Sequence, residues 1–389
     1  MAQFRWHPAA QASEGGEQVQ AGDARPIGQA LVLPDRPALR ALQAALGAQV
    51  FRIGAEDAPP PDPGAVPLFE TLSGGTSGAP KRIRRTQASW IASFAVNARL
   101  FGLGPGCAAA VLGRLVHSLA LYGAIETLHL GGRLHLLDRQ RPDRQRAALA
   151  QHRVQVLYAT PAQLRLMTEA GGAALPDLRL ILVGGSKLDQ ALRASLVAMT
   201  PARVVEFYGA AETSFITLAD DTTPPDSVGR PYPGVEIAVQ DGEIRVRSPY
   251  LALGYGDADS DIWHDGWVSV GEHGRMAEGL LYLAGRASRM VKIADQAVYP
   301  EEIEALLLAL PGICRAACLP AADPLRGHVL VAVLMGDGAQ AGDILAQLRA
   351  RLGPLKAPRR LIWRSNWPVL PSGKTDLAAL AADLAGAGA

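Results

Sequence analysis

The stretch that decides how this sequence is interpreted is Leu72-Ser73-Gly74-Gly75-Thr76-Ser77-Gly78-Ala79-Pro80-Lys81, in a chain of 389 residues. It contains three glycines, three hydroxyl side chains and one lysine. Glycines let backbone N–H groups approach an anion, hydroxyl groups add donors, and a lysine supplies the point charge that a polyphosphate needs. The stretch is not a Walker A loop, because there the lysine directly follows a glycine. A run of this composition is also typical of a linker.

The flanks of this loop favour a nucleotide site over a linker. An apolar segment, residues 66–72, precedes the loop, and a segment with helical character, residues 89–100, follows it. We therefore predict a strand, the loop and a helix in succession. This is the setting in which many proteins bind phosphate groups.

The composition is that of an ordinary globular protein. Apolar residues make up 49% and charged residues 19% of the chain, and the formal net charge is +1. Neither a nucleic acid nor an anionic membrane surface is therefore indicated as a partner. Cys107, Cys314 and Cys318 form no C-x-x-C pair, which is typical of a reducing compartment. No apolar run reaches the roughly 18 residues of a membrane span, and residues 1–20 lack a signal core, so we expect a cytoplasmic protein.

Strand-like and helix-like segments alternate along the first half of the chain, which predicts an α/β fold with a mainly parallel sheet. The strand candidates after the loop are 108–112, 133–137, 154–158, 178–183 and 204–207, and the helix candidates are 119–130, 141–151, 161–170 and 189–199. After residue 220, short alternating segments predict a barrel-like antiparallel subdomain. A separate βα pattern near the C-terminus predicts a small α+β domain. The expected domains are 1–284 and 285–389.

Two of the predicted strands end in loops that could bind a nucleotide. Residues 178–183 lead into Gly184-Gly185-Ser186, and residues 204–207 lead into Tyr208-Gly209-Ala210-Ala211-Glu212-Thr213. Ligands of open α/β sheets bind outside the carboxyl ends of the strands, so these loops and the glycine-rich loop can share one crevice. A planar base fits on the two-glycine backbone beside the tyrosine ring, and Glu212 is placed to hold Mg²⁺. Taken alone, Glu212 would be interpreted as a solvated carboxylate.

Six segments resemble, in order, motifs of the adenylate-forming enzymes, which include acyl- and aryl-CoA synthetases, peptide-synthetase adenylation domains and luciferase. They span residues 73–374, and their order is more specific than any one of them. The segments are the phosphate loop at 73–81, Tyr208-Gly209-Ala210-Ala211-Glu212-Thr213 for Y-G-x-T-E, Asp265-Gly266-Trp267 with Gly271-Glu272-His273-Gly274 for G-W-x-x-T-G-D-x-G, Gly285-Arg286 for the G-R hinge, Lys292 with Val298-Tyr299-Pro300-Glu301-Glu302-Ile303-Glu304 for I-K-x-x-G-x-x-V-x-P-x-E-I-E, and Pro371-Ser372-Gly373-Lys374 for P-x-G-K.

The resemblance implies a two-step reaction that uses ATP and Mg²⁺. A small carboxylic acid would attack the α-phosphate to give an acyl-AMP and pyrophosphate, and a thiol of CoA or of carrier-protein pantetheine would then take the acyl group. Lys374, on a mobile small domain, would bridge the carboxylate and the α-phosphate, and Glu212 would hold Mg²⁺. His117 would gate the carboxylate pocket, with a packed structural role as the alternative.

The resemblance also implies binding roles for the remaining site residues. The nucleotide-binding residues would be Ser73, Thr76, Ser77, Gly78, Lys81, Gly184, Gly185, Ser186, Tyr208, Gly209, Glu272 and Arg286. Lys292 and Asp295 would lie on the side where the thiol of CoA enters.

Four features depart from the family pattern. Only 72 residues precede Ser73, so the first subdomain is expected to be shortened, with pocket wall supplied from elsewhere, for example by the partner in a homodimer. Glu272 stands where the family has Asp, and Ser288 stands at the hinge position where Asp or Lys is usual. Asp295 replaces the glycine beside the pantetheine tunnel, where a charge could block the tunnel or change the acceptor.

Three functions fit these residues. The first is an acyl- or aryl-CoA ligase, the second is a stand-alone adenylation enzyme that loads a carrier protein, and the third is a degenerate homologue that binds a nucleotide and catalyses little. Against the third function stand the intact residues Lys81, Glu212, Arg286 and Lys374, because a binding relic has no need of Lys374 in particular. The sequence does not name the carboxylic acid, because pocket specificity depends on side-chain directions.

Overall fold

The computed structural model describes residues 2–20, 30–72, 81–256, 260–336, 341–369 and 375–386. The chain forms two compact units. The first comprises Met1–Ala238 and Arg245–Val270, and the second comprises Val239–Ile244 and Gly271–Ala389. The domain boundary predicted at 284/285 falls inside a strand and stays a prediction.

Strands and helices of the described residues alternate up to the end of α6 and are followed mainly by strands as far as β21. The strands are β1 (Gln11–Glu14), β2 (Glu17–Gln20), β3 (Ala30–Leu33), β4 (Val50–Ile53), β5 (Leu68–Leu72), β6 (Arg82–Thr86), β7 (Ala108–Val111), β8 (Arg133–Leu136), β9 (Val156–Ala159), β10 (Leu180–Val183), β11 (Arg203–Ala210), β12 (Ser214–Ala219), β13 (Arg230–Pro231), β14 (Glu236–Gln240), β15 (Glu243–Arg247), β16 (Gly254–Tyr255), β17 (Trp263–His264), β18 (Trp267–Ala277), β19 (Leu280–Arg286), β20 (Val291–Ile293), β21 (Gln296–Val298), β22 (Ile313–Asp323), β23 (Gly327–Gly336) and β24 (Arg360–Trp363). The helices are α1 (Ala38–Ala45), α2 (Gln87–Phe101), α3 (Ser118–His129), α4 (Pro142–Gln151), α5 (Pro161–Glu169), α6 (Gln190–Met199), α7 (Pro300–Leu308), α8 (Ala341–Lys356) and α9 (Leu377–Gly386).

A large sheet forms the centre of the first unit, in the order β13-β12-β11-β10-β9-β7-β8-β1-β2. The strands from β11 to β1 in this order are parallel, whereas β12, β13 and β2 add antiparallel pairs at the edges. Parallel neighbours need crossover connections, which α3, α4, α5 and α6 supply. The predicted α/β fold with a mainly parallel sheet is therefore confirmed. The edge hairpin β1–β2 was not predicted.

The strands β7, β9 and β10 at the centre of this sheet are buried on both faces. Every residue in each of them is buried. All four residues of β10 are buried and form a continuous apolar run, as is typical of a parallel strand with helices on both sides. Leu149 of α4, Leu164 of α5 and Leu192 of α6 pack into the same apolar cluster as Ile181. Burying such an aliphatic side chain stabilises the fold by about 1.5–3 kcal/mol. Ala159 and Val183 belong to the same cluster, which therefore holds the carboxyl ends of β9 and β10 in fixed positions.

A second sheet of the first unit, in the order β16-β6-β5-β4-β3, corrects the prediction for the flanks of the glycine-rich loop. β5 pairs antiparallel with β6, with Leu72 opposite Arg82, so the loop joins two antiparallel strands. Helix α2 begins only after β6, where the N-cap Thr86 accepts a hydrogen bond from Ser89 N at 3.2 Å. The predicted succession of strand, loop and helix was wrong here, because a segment with three arginines does not look like a buried strand.

The second unit is a small α+β arrangement, as predicted for the C-terminal part of the chain. β22 pairs antiparallel with β23, and β23 pairs parallel with β24. Ile303 and Leu307 of α7 and Leu348 of α8 belong to one buried cluster with Leu330 and Leu334 of β23. Within the described ranges of the whole chain, no helix is long and apolar enough to cross a membrane.

Candidate active site

The turn between β11 and β12 places Glu212 at the edge of the central sheet. A Cβ atom at Gly209 would lie 1.9 Å from the Ser214 carbonyl oxygen, so a larger residue does not fit without moving the backbone. Thr213 closes the turn, because its Oγ1 accepts a hydrogen bond from Ala210 N at 3.1 Å. The half-buried Glu212 therefore extends from a turn whose conformation is fixed by its neighbours.

A buried arginine packs against this turn. Arg85 is fully buried, donates to the carbonyl oxygen of Ala211, and donates to Ser214 Oγ at 2.7 Å. Trp90 Nε1 donates to the same hydroxyl at 3.1 Å. Burial lowers the pKa of Arg85 to about 9, and the nearby Glu212 carboxylate partly opposes this shift. A buried cation is costly unless it has a counter-charge, and the Glu212 carboxylate provides one for Arg85.

Tyr255 connects Glu212 with Lys81. The Tyr255 hydroxyl donates to Glu212 Oε1 at 2.9 Å, and Lys81 Nζ lies 4.7 Å from the centroid of the Tyr255 ring. Burial, and then the Glu212 carboxylate, raise the pKa of the Tyr255 phenol, so it keeps its proton at neutral pH. The structure thus brings together two residues that the sequence assigned to phosphate and to Mg²⁺.

Both ends of the glycine-rich loop are attached to a buried ion cluster. Arg52 Nη1 lies 2.7 Å from Glu70 Oε2, and Arg82 Nη1 lies 3.7 Å from the same oxygen. Glu70 lies on β5 before the loop, and Arg82 is the first residue of β6 after it. Removing one partner would leave a buried charge uncompensated, so the cluster fixes the two ends. The predicted phosphate-binding residues Ser73, Thr76, Ser77 and Gly78 lie outside the described residues.

The loop after β10 contains two glycines for two different reasons. A Cβ atom at Gly184 would lie 2.1 Å from Phe207 Cζ, so this glycine lets the aromatic ring pack against the backbone. Gly185 has a φ of +98°, a conformation that favours glycine. Because β10 and β11 are parallel neighbours with Val183 opposite Glu206, this loop lies beside the carboxyl-terminal half of β11. The residues that the sequence assigned to the base and that share this edge are Gly184, Gly185, Ser186, Tyr208 and Gly209.

His117 lies at the start of α3, beside the strand that leads into the glycine-rich loop. Its backbone forms a parallel β-bridge with Leu72, and its side chain makes no hydrogen bond that caps the helix. Burial, followed by the charge of Arg114, lowers the pKa of the imidazole, which favours its neutral form. His117 is thus placed next to the phosphate loop, while its role as a gate stays a prediction.

In the second unit, Glu272 and Arg286 face each other across the β18–β19 hairpin. Arg286 Nε donates to Glu272 Oε1 at 3.3 Å, and about half of the Arg286 side chain is exposed. The pair that was predicted to hold the ribose is therefore brought together. The half-exposed Arg286 guanidinium carries further N–H donors that can bind a polar partner.

The predicted thiol-side residues share the β20–β21 hairpin of the second unit. Lys292 and Asp295 are both exposed. The two-residue turn begins at Ala294, which has a φ of +49° and donates to the Arg326 carbonyl oxygen at 3.0 Å. Asp295 is therefore presented to solvent by an anchored turn. Lys374, the predicted catalytic lysine, lies outside the described residues.

Sequence reasoning missed Tyr255 and Arg85. Tyr255 stands between two glycines, a pattern that indicates a backbone approached closely by something else. That pattern could have drawn attention to the tyrosine but not to its partner. Arg85 gave no such signal, because its partners Ala211 and Ser214 lie more than a hundred residues away.

Comparison with known proteins identifies the family. Residues 9–256 match the family described as AMP-binding enzyme, and residues 302–374 match the AMP-binding enzyme C-terminal domain. The chain belongs to the AMP-binding enzyme family. The predicted membership of the adenylate-forming enzymes is therefore confirmed.

Named ligases and an amide-forming enzyme are among the proteins that this family member is similar to. The uncharacterized acyl-CoA ligase YhfT of Bacillus subtilis is 29% identical over 342 residues, which cover 84% of this chain and 70% of the relative. The 2-hydroxy-7-methoxy-5-methyl-1-naphthoate-CoA ligase of Streptomyces carzinostaticus is 30% identical over 388 residues, which cover 90% of this chain and 68% of the relative. The solved structure of amide bond synthetase McbA from Marinactinospora thermotolerans has a TM-score of 0.73 and 25% identity, over 90% of this chain and 79% of that chain.

These relatives establish the enzyme class but do not test the roles of individual residues. This chain spans about two thirds of the length of the two curated ligases. The predicted class, an AMP-forming acid–thiol ligase, is confirmed at the level of the family. The roles of single AMP-binding residues, from Lys81 to Arg286, stay predictions.

Proposed function

We propose that this protein activates a carboxylic acid with ATP and passes the acyl group to a thiol. The observation that carries the proposal is the set formed by Lys81, Tyr255 and Glu212, in which a cation and a carboxylate meet on one tyrosine. A lysine beside a metal-binding carboxylate is the pairing that a magnesium–polyphosphate substrate requires.

In the first step, a carboxylate oxygen of the acid forms a bond to the α-phosphorus of ATP. The bond from that phosphorus to the bridging oxygen breaks, and pyrophosphate leaves with its electron pair. Lys81 balances the charge of the leaving phosphates, and Lys374 balances the charge that builds up between the acid and the α-phosphate. Glu272 and Arg286 hold the ribose. These groups position and stabilise charge, and they move no proton.

The residues present fit a magnesium ion. Glu212 offers a hard carboxylate oxygen, and only its Oε1 is the acceptor of the Tyr255 hydrogen bond. Mg²⁺ is usually held by one or two carboxylates together with substrate phosphates, so a single protein carboxylate is sufficient. When bound, the ion would neutralise charge on the phosphate oxygens.

In the second step, a thiolate attacks the acyl carbon, and the bond between that carbon and the AMP oxygen breaks to release AMP. CoA is the acceptor that the acyl-CoA ligases among the relatives favour, and pantetheine on a carrier protein is the alternative. Asp295 stands on the exposed hairpin where the family pattern has glycine, so this chain has a charge where the acceptor enters. Similarity to a naphthoate-CoA ligase supports an aryl acid as the first substrate to test.

The test is pyrophosphate release over a panel of aryl and medium-chain acids, with CoA, a pantetheinylated carrier protein, a simple amine or no acceptor. Release that depends on an acid but not on CoA, with acyl-CoA formed only when CoA is added, is the expected result. Product formed only on the carrier protein would favour a stand-alone adenylation enzyme that loads a carrier. Product formed only on the amine would contradict transfer to a thiol. Absence of release with every acid would overturn the proposal.

A further inference from the structure

Tyr255 is held rigidly between the two charged groups of the candidate site. It lies on the edge strand β16, where it pairs with Ile83 of β6. On either side of it, Leu253 N donates to the Arg84 carbonyl oxygen and Gly256 N donates to the Arg82 carbonyl oxygen, both at 2.8 Å. Because the backbone is anchored on both sides of Tyr255, the only remaining freedom of the side chain is rotation about χ1 and χ2.

The ring of Tyr255 is also fixed by packing. The Trp263 ring meets it edge to face, with the centroids 5.2 Å apart, and Trp263 Nε1 donates to the Ala252 carbonyl oxygen at 3.1 Å. An edge-to-face pair with one member hydrogen-bonded to the backbone restricts rotation of both rings. The phenol oxygen therefore already points at Glu212, so that nucleotide binding causes no further loss of conformational entropy of this side chain.

The hydroxyl and the aromatic ring of Tyr255 have separable roles. Among the described charged groups of the site, the hydroxyl contacts the carboxylate, through Glu212 Oε1, and the ring contacts the cation, through Lys81 Nζ. A cation above an aromatic ring is held by the negative π face, which limits where its long side chain can extend. A carboxylate with one oxygen engaged is oriented so that the other oxygen is left for a metal.

We propose that Tyr255 is a positioning residue that couples the magnesium-binding carboxylate Glu212 to the phosphate-binding Lys81. It would touch neither the acid nor the reacting phosphorus and would act only through these two partners. The inference rests on the proposed function, because both partners are assigned there to magnesium–ATP.

The experiment uses the full chain and two substitutions at this position. Tyr255→Phe removes the hydroxyl but keeps the ring, and Tyr255→Leu removes both. ATP binding is measured by calorimetry with and without Mg²⁺, and the Mg²⁺ dependence of pyrophosphate release is measured with an accepted acid. Tyr250→Phe is the matched control, because its hydroxyl donates to the Pro233 carbonyl oxygen at 2.7 Å instead of to a carboxylate.

For Tyr255→Phe we expect the Mg²⁺ concentration for half-maximal ATP binding to rise about tenfold, as for other partners of metal-bound carboxylates. Binding of ATP without Mg²⁺ should stay within about twofold of the parent value. Tyr255→Leu should show the same Mg²⁺ effect and, in addition, a loss of about threefold in Mg²⁺-free ATP binding, because Lys81 loses its ring. Tyr250→Phe should change neither quantity.

An unchanged or lower Mg²⁺ requirement in Tyr255→Phe would overturn the proposal. A loss of Mg²⁺-free binding in Tyr255→Phe equal to that in Tyr255→Leu would also overturn it, since the hydroxyl and the ring would not be separable. If Tyr255→Leu does not fold, the phenylalanine variant still decides. If no acid supports pyrophosphate release, the proposed function fails, but the binding measurements still test Tyr255 alone.

Discussion

At the scale of single residues, Glu126 is the group whose protonation the fold controls most directly. Its side chain is fully buried and accepts hydrogen bonds from Asn97 Nδ2 at 2.9 Å and from the hydroxyls of Tyr122 and Tyr158. Burial raises the pKa of Glu126 from 4.5 to about 7, and these hydrogen bonds only partly offset the effect. Gly123 makes room for this network, because a Cβ there would lie 2.5 Å from the Tyr158 ring.

This raised pKa predicts that the contribution of Glu126 to stability falls as the pH rises. Between about pH 4.5 and 7 the folded chain keeps the proton of Glu126 and the unfolded chain releases it, so the contribution is complete below 4.5 and lost through 7. This contribution should fall by up to about 1.4 kcal/mol per pH unit in this window, whereas the lowered pKa values of His129 and His135 give slopes of the opposite sign. The free energy of unfolding of the parent chain minus that of Glu126→Gln should therefore fall with this slope, as measured by urea unfolding from pH 5 to 8, because the histidines contribute equally to both chains.

Glu169→Gln provides the control for this prediction, because Glu169 is exposed at the end of α5. It should keep the slope of the parent chain. An identical pH slope in Glu126→Gln and the parent chain would contradict the assignment of the proton to Glu126.

At the scale of elements, the β11–β12 turn depends on the absence of a Cβ atom at Gly209. A Cβ at Gly209 would lie 1.9 Å from a backbone oxygen of Ser214, which cannot move aside as a side chain could. Gly209→Ala should therefore lower the free energy of unfolding by roughly 1–3 kcal/mol and weaken Mg²⁺-dependent ATP binding, because Glu212 extends from the same turn. Thermal unfolding and calorimetry measure the two effects.

The matched variant for this turn is Gly104→Ala. Nothing lies within 4 Å of a Cβ built at Gly104, and its φ is not positive, so alanine should be neutral or slightly stabilising. Equal stability of Gly209→Ala and Gly104→Ala would show that the turn tolerates a side chain, against the geometry described above.

The elements that could be predicted from the sequence are those with a local signal. β10 is a continuous run of four apolar residues, and α3 was predicted from the residues of the helix itself, so neither prediction depended on distant parts of the chain. β6 was missed because Arg85 finds its partners at Ala211 and Ser214, more than a hundred residues away. Sequence order placed Lys81 and Glu212 in one site, but the tyrosine that joins them could not be deduced from spacing.

At the scale of the whole molecule, the residues assigned to ATP are divided between the two compact units. Lys81 and Glu212 belong to the first unit, and Glu272 and Arg286 belong to the second. The same division applies to the reaction, because Lys374 belongs to the second unit and is assigned to the α-phosphate. Because Lys374 is assigned to the chemical step alone, its substitution should separate that step from nucleotide binding.

Lys374→Ala should slow acyl-AMP formation by about a hundredfold or more, because one positioned charge at a transition state contributes that much. It should leave ATP binding and the unfolding temperature close to those of the parent chain, since this residue is assigned only to the step in which charge moves. Pyrophosphate release, calorimetry and thermal unfolding give the three readouts. Lys356→Ala is the control within the same unit, because Lys356 Nζ pairs with Glu302 at 3.4 Å and has no assigned part in catalysis. Equal pyrophosphate release by both variants would remove Lys374 from the mechanism and leave adenylation to the residues around Glu212.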